Sequence, residues 1–119
     1  MLLQFEHTKY GLLAIVSGEL DLRVVDELKH ALIREMDCYK GKNLILDLAN
    51  VNFIDSSGLA VILGRYRQLA LVGGNLKIVG VNEQVYRILH LSGLTRFITV
   101  ERAQHAKVLR RKYDAGKQR

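Results

Sequence analysis

Residues 43–59 run from a Leu- and Ile-rich segment of buried-strand type, through a short polar turn, into three successive helix-capping residues, Asp55, Ser56 and Ser57, and then an amphipathic helix. A strand that passes straight into a helix returns across the sheet, so the strand after that helix lies parallel to the first. The rest of the chain repeats the pattern. Residues 2–6 and 12–18 are apolar-rich and separated by His7, Thr8, Lys9, Tyr10 and Gly11, a loop length that suits an antiparallel hairpin. Residues 23–39 switch to helical period, with Val25, Leu28, Leu32 and Met36 on one stripe and Gly41 as the stop. Residues 43–48 form a strand, and residues 57–72 a helix whose apolar face is Leu59, Ile62, Leu63, Tyr66, Leu69 and Ala70, ended by Gly73 and Gly74. A strand at 75–80, a short helix at 83–91 packing Val85, Ile88 and Leu89, a strand at 96–100 and a helix at 101–113 complete the order. The predicted fold class is α/β: a single domain with an N-terminal hairpin, then alternating helix and strand, built on a mostly parallel sheet of about five strands with about four helices. Right-handed crossovers place consecutive helices on one face. The expected domain covers residues 1–113, with a basic tail at 114–119.

This order fixes geometry. Loops leaving the C-terminal ends of parallel strands share a rim, and ligand sites collect there. Asp21 leaves one strand, Asp55 and Ser56 the next, and Asn82 and Glu83 the one after. Ser92, Gly93 and Leu94 follow a helix and belong on the opposite rim, with Gly93 as a left-handed cap and Leu94 as its apolar partner. At the central junction only one of Asp55, Ser56 and Ser57 can be the N-cap, which leaves two without a folding task. A helix start alone accounts for Asp-Ser-Ser-Gly. A hydroxyl at a helix N-terminus is also where a phosphate is favoured by open N–H groups and the helix dipole.

Composition closes several routes. The longest apolar runs are a few residues, against the roughly 20 that span a bilayer, and no secretory leader pattern opens the chain. A soluble, cytoplasmic chain with no membrane partner is expected. Cys38 is the only cysteine, so neither an intrachain disulfide nor a cysteine-rich metal site can form. Of the net charge of +6, residues 101–119 supply +5, from seven basic residues against Glu101 and Asp114. The basic excess therefore sits at the chain end and leaves the body nearly neutral, which argues against a specific nucleic-acid partner. His7, His30, His90 and His105 are scattered at no metal-binding spacing, Ser56 has no evident histidine base, and no glycine-rich phosphate loop follows a strand. The chain reads as a non-enzyme with no cofactor or metal. A magnesium-dependent aspartyl-phosphate receiver could use Asp47 and Asp55, but the first strand ends in His7 and Thr8 with no acidic pair.

The run Phe53, Ile54, Asp55, Ser56, Ser57, Gly58, Leu59, Ala60, Val61, Ile62, Leu63, Gly64, Arg65, Tyr66, Arg67, Gln68 resembles the centre of the STAS-domain anti-sigma factor antagonists, and most of all their sporulation members. Gly18-Glu19-Leu20-Asp21 and Leu91-Ser92-Gly93-Leu94 fit the same family, so the resemblance spans residues 2–110. It implies a STAS-type fold and a protein-binding switch. The unphosphorylated domain binds an anti-sigma factor that is also a serine kinase and frees a sigma factor; phosphorylation turns it off and a serine phosphatase restores it. By position the implied phosphoacceptor is Ser56, and Asp21, Asp55, Ser57 and Gly58 contribute to docking, with Asn82 and Glu83 on the same rim. ATP and magnesium belong to the kinase. A phosphoserine adds about −1.5 to −2 charge next to Asp55 and Asp21, only part of which the helix N-terminus offsets. After Asp21 the chain has Leu22 and Arg23, where sporulation members often carry two histidines. That departure leaves room for a general-stress antagonist, a scaffold of a stress-signalling assembly, or a ligand-binding or transporter-associated STAS module.

Overall fold

Strands β1 (Leu2–His7) and β2 (Leu12–Leu20) form the expected antiparallel hairpin, and the computed structural model of the chain describes residues 1–103. Thr8 closes the hairpin loop: its hydroxyl donates to the Gly11 carbonyl at 2.7 Å and accepts from the backbone N–H groups of Tyr10 and Gly11. Next come α1 (Val25–Cys38), β3 (Asn43–Ile54), α2 (Ser56–Ala70), β4 (Asn75–Val81), α3 (Glu83–Leu91), a 3-10 turn (Leu94–Arg96) and β5 (Thr99–Arg102). The sheet order is β1-β2-β3-β4-β5, with β2 through β5 mutually parallel.

Strand residues divide between two faces because successive side chains alternate. Leu12, Ala14, Val16, Leu44, Leu46, Leu48, Leu76 and Ile78 point to one side and share a core with Val25, Leu28, Leu32, Val61, Ile62, Leu69, Val85 and Leu89 of the three helices. All three therefore lie on one face, as right-handed crossovers require. Leu13, Ile45 and Val79 point the other way and are also buried. Central strands buried on both faces explain why these segments are nearly continuous apolar runs in sequence.

Several boundaries differ from expectation. The third strand continues six residues past Leu48, to Ile54, because β2 still pairs with it there, Leu20 opposite Ile54. Pairing of β3 with β4 stops at Asp47 opposite Val79, so this extension is flanked on one side only, and its Asn50 and Asn52 face solvent. Helix α1 ends at Cys38, ahead of Gly41, where the chain turns extended at Tyr39. The last strand begins at Thr99, since Leu94–Arg96 wind into the 3-10 turn. Gly93 has φ 89°, a left-handed conformation that glycine adopts without penalty, and Leu94 beside it is buried, as the sequence suggests. Three α-helices lie within the described residues. The fourth, expected over 101–113, begins in what is strand β5, and most of it, like the 114–119 tail, falls outside the described residues.

Candidate functional site

The end of β3 and the start of α2 meet the end of β2. The Asp55 backbone N–H donates to the Leu20 carbonyl at 3.1 Å, which holds the loop after β2 against the first turn of α2. Asp55 is the N-cap. Its Oδ1 accepts from the Ser57 N–H (2.9 Å), the Gly58 N–H (3.1 Å) and the Ser57 hydroxyl (2.5 Å), while Oδ2 accepts from the Leu22 N–H across the rim at 3.2 Å. One carboxylate thus caps a helix and ties two loops together. The Ser57 hydroxyl and then the Gly58 N–H hold the Asp55 carboxyl below the usual carboxylate range, against a smaller opposing effect of burial.

A depressed pKa in the fold means that the stability Asp55 contributes is present above the usual carboxylate pKa and is lost as pH falls through the lowered value. Asp55→Asn keeps a cap oxygen but replaces the second acceptor with a donor facing the Leu22 N–H. We expect this variant to melt below the parent at neutral pH, with the gap closing as the pH is taken below the usual carboxylate range and the parent carboxylate is protonated. Circular-dichroism melting against pH reads this directly; a gap unchanged in acid would remove the charged cap from the account.

The two serines separate. Ser57 is engaged through its hydroxyl, so it has a folding task, contrary to the expectation that two of the three capping residues are surplus. Ser56, the first residue of α2, is exposed and its hydroxyl makes no hydrogen bond among the described residues. The N–H groups of Ser57 and Gly58, the open donors that would have met a phosphate there, already bond to Asp55. Less of a new anion's charge is offset inside the domain than the sequence suggests.

Asp21 lies on the same rim but its charge is matched. Arg23 Nη2 and Nε donate to its Oδ2 at 2.6 and 3.1 Å, the Arg23 N–H donates to Oδ1 at 3.0 Å, and Glu19 accepts a further contact from Nη2 at 3.3 Å. The Arg23 side chain, more than any other group, holds the Asp21 carboxyl below its usual range. The expected doubly acidic rim is therefore one hydrogen-bonded carboxylate, Asp55, beside the Asp21–Arg23 ion pair. Asn82 caps α3 by accepting from the Val85 N–H at 2.8 Å and reaches Asn52 of β3 at 3.4 Å, which joins the third loop to the rim. Glu83 pairs with Arg102 at 3.2 Å. Asp21, Asp55, Ser56, Ser57 and Gly58 thus converge, with Asn82 and Glu83 one strand away.

Two residues that sequence reasoning passed over complete the surface: Leu22, 77% exposed, and Phe53, 42% exposed, flank the Asp55-Ser56 turn. Their signal was present. Leu22 is an apolar residue in an otherwise charged loop, and Phe53 falls one residue out of phase with buried Ile54. Among the described residues no group of three His, Cys, Asp or Glu could hold a metal, and no helix is long and apolar enough to cross a membrane.

Residues 6–106 match the STAS domain family. An anti-sigma F factor antagonist of Paenibacillus polymyxa is 35% identical over 82% of this chain and 84% of its own length. An anti-sigma-B factor antagonist of Staphylococcus epidermidis is 37% identical over 66% of this chain and 72% of its own. The structure of the anti-sigma factor antagonist SpoIIAA in its unphosphorylated form shares the fold with a TM-score of 0.73, covering 93% of this chain and 97% of that one at 23% identity.

Proposed function

The chain belongs to the STAS-domain family, and from its kinship with anti-sigma factor antagonists we propose that it binds an anti-sigma factor through the rim around Ser56, frees a sigma factor, and is switched off by phosphorylation of Ser56. The partner supplies the kinase activity together with ATP and magnesium, and a serine phosphatase reverses the modification. This chain contributes a shaped surface and an acceptor hydroxyl; it needs no catalytic group, cofactor or metal of its own. It acts in the cytoplasm, as a domain over residues 1–113 with a basic tail at 114–119, and reads no specific nucleic-acid sequence. Relatives are named for both anti-sigma F and anti-sigma-B factors.

The observation that carries the acceptor assignment is the contrast between Ser56 and its neighbour. Ser56 offers an exposed, unengaged hydroxyl at the first position of α2, whereas the Ser57 hydroxyl is given to Asp55 and the Ser92 hydroxyl to the Leu89 carbonyl at 2.7 Å. Incubation with the cognate kinase and ATP is expected to add one phosphate at Ser56. The chain has four serines, Ser17, Ser56, Ser57 and Ser92, so peptide mass spectrometry separates the candidates. Phosphate at Ser57 or Ser92 with Ser56 untouched would refute the assignment.

Leu22 and Phe53 are the apolar part of the docking rim, and exposed apolar side chains beside polar anchors are where binding energy concentrates. Leu22→Ala and Phe53→Ala are each expected to weaken binding to the anti-sigma factor by about tenfold, with little change in melting temperature for Leu22, which is largely solvated in the free protein, and a modest one for Phe53, which is partly covered. Parental affinity in both variants would move the interface off this rim.

A further inference from the structure

The rim opposite Ser56 has a different chemistry. It is made by the loops entering β2, β3, β4 and β5, and these loops touch one another. The Tyr39 hydroxyl donates to the Thr8 carbonyl at 2.8 Å, the Asn75 N–H donates to the Lys42 carbonyl at 3.1 Å, and the loop entering β5 packs the Phe97 ring 6.1 Å from that of Tyr66 in α2. Of the large apolar side chains exposed on the described residues, four stand here: Leu71 at 88%, Val72 at 56%, Leu91 at 78% and Phe97 at 58%. The same loops carry Lys9, Lys40, Lys42 and Arg96, all exposed, and no Asp or Glu. Acids border these loops at Glu6 in β1 and at Glu35 and Asp37 in the last turns of α1, and Glu35 faces His7 at 3.6 Å. Acidic residues gather instead at the Ser56 rim, with Asp21 and Asp55 in its loops, Glu19 near the end of β2 and Glu83 at the start of α3. The described body is thus polarised along α2, with about 22 Å of helix between the two rims.

We propose that this basic, apolar rim is a peripheral docking surface for an anionic lipid bilayer. Protruding Leu, Val and Phe side chains and Lys and Arg on loops that themselves carry no acid match the two requirements of such a surface: apolar groups that enter the headgroup boundary and cations that meet anionic lipid. Peripheral docking needs no spanning helix, so the proposal departs from the expectation of no membrane partner, which rested on the shortness of the apolar runs. Docking by this rim leaves Ser56, Asp55 and Leu22 pointing away from the bilayer, so a lipid-bound chain keeps its switch surface open. The proposal does not depend on the phosphorylation reading, since the two rims share no residue.

The test is co-sedimentation of the full-length chain with vesicles of phosphatidylcholine alone and of phosphatidylcholine with phosphatidylglycerol. Binding is expected only with phosphatidylglycerol, and is expected to drop by about tenfold or more both in Leu91→Ser/Phe97→Ser and in Lys40→Glu/Lys42→Glu, with both variants folded by circular dichroism and anti-sigma factor affinity unchanged. The apolar variant is the discriminating one because residues 104–119 carry a net +5 that could hold the chain to anionic vesicles by charge alone. Parental binding by Leu91→Ser/Phe97→Ser would overturn the proposal, as would absence of binding by the parent or equal binding to phosphatidylcholine alone. A concentration-dependent dimer abolished by Leu91→Ser/Phe97→Ser, with no vesicle binding, would assign the rim to self-association instead.

Discussion

Ser56→Asp is expected to bind the cognate anti-sigma factor at least about tenfold more weakly than the parent, while Ser56→Ala binds as the parent does and escapes inactivation. The asymmetry follows from how the first turn of α2 is occupied. Asp55 already takes the N–H groups of Ser57 and Gly58 and is held ionised by them, so a second anion at Ser56 finds a carboxylate beside it and few open donors. Docking strips water from that anion, and at an effective dielectric near 20 one like charge about 6 Å away costs on the order of 3 kcal/mol. Solvent screening that removes half of this still leaves about tenfold in affinity. Ser56→Ala loses only an exposed hydroxyl with no partner among the described residues, so its fold should be unaffected. Calorimetric titration of both variants against the anti-sigma factor distinguishes the cases; two parental affinities would mean that charge at this position is not the switch.

Gly58→Ala is expected to destabilise the domain by about 2–3 kcal/mol, or some 10 °C in melting temperature, and to take partner binding with it. A Cβ at Gly58 would stand 2.6 Å from the Leu20 carbonyl oxygen, 2.9 Å from Ile54 Cγ2 and 3.1 Å from Leu20 Cβ. The carbonyl is backbone in a paired strand and cannot step aside, so the start of α2 has to lift away from the end of β2. That displacement pulls Asp55 from the Leu22 N–H and opens the rim. Gly64 provides the control within the same helix. Nothing lies within 4 Å of a Cβ there, so Gly64→Ala should gain the helix propensity of alanine, about 0.5–1 kcal/mol. Thermal melts that moved both variants the same way would contradict the close packing of Gly58 on Leu20.

The alternation of hairpin, helix and strand was legible because central strands buried on two faces leave continuous apolar runs and each helix leaves a periodic stripe. Val25, Leu28 and Leu32 of α1 and Val85 and Leu89 of α3 are buried as their spacing indicates. Helix α2 was read less well. Of the expected face Leu59, Ile62, Leu63, Tyr66, Leu69 and Ala70, Ile62 and Leu69 are buried and Leu59, Leu63 and Tyr66 partly so, but the buried line also takes in Gly58, Val61 and Arg65, so the core-facing side lies further round the helix. A glycine and an arginine in the buried line hide it from a hydrophobicity count; Arg65 is 8% exposed, and burial lowers the pKa of its guanidinium. At the rim, strand order brought Asp21, Asp55 and Asn82 together on paper. Which hydroxyl stays free, and which carboxylate is already matched, depends on hydrogen bonds between loops 33 residues apart, as from Leu22 to Asp55, and on the Arg23 rotamer over Asp21. Residue order carries no trace of either.

The most direct test is calorimetric titration of the cognate anti-sigma factor with the full-length chain before and after stoichiometric phosphorylation by the kinase, with the phosphate mapped to Ser56. The unphosphorylated chain should bind, and the Ser56-phosphorylated chain should bind about a hundredfold more weakly, as a dianion on an already occupied helix start requires. Equal affinities for the two forms would contradict the switch.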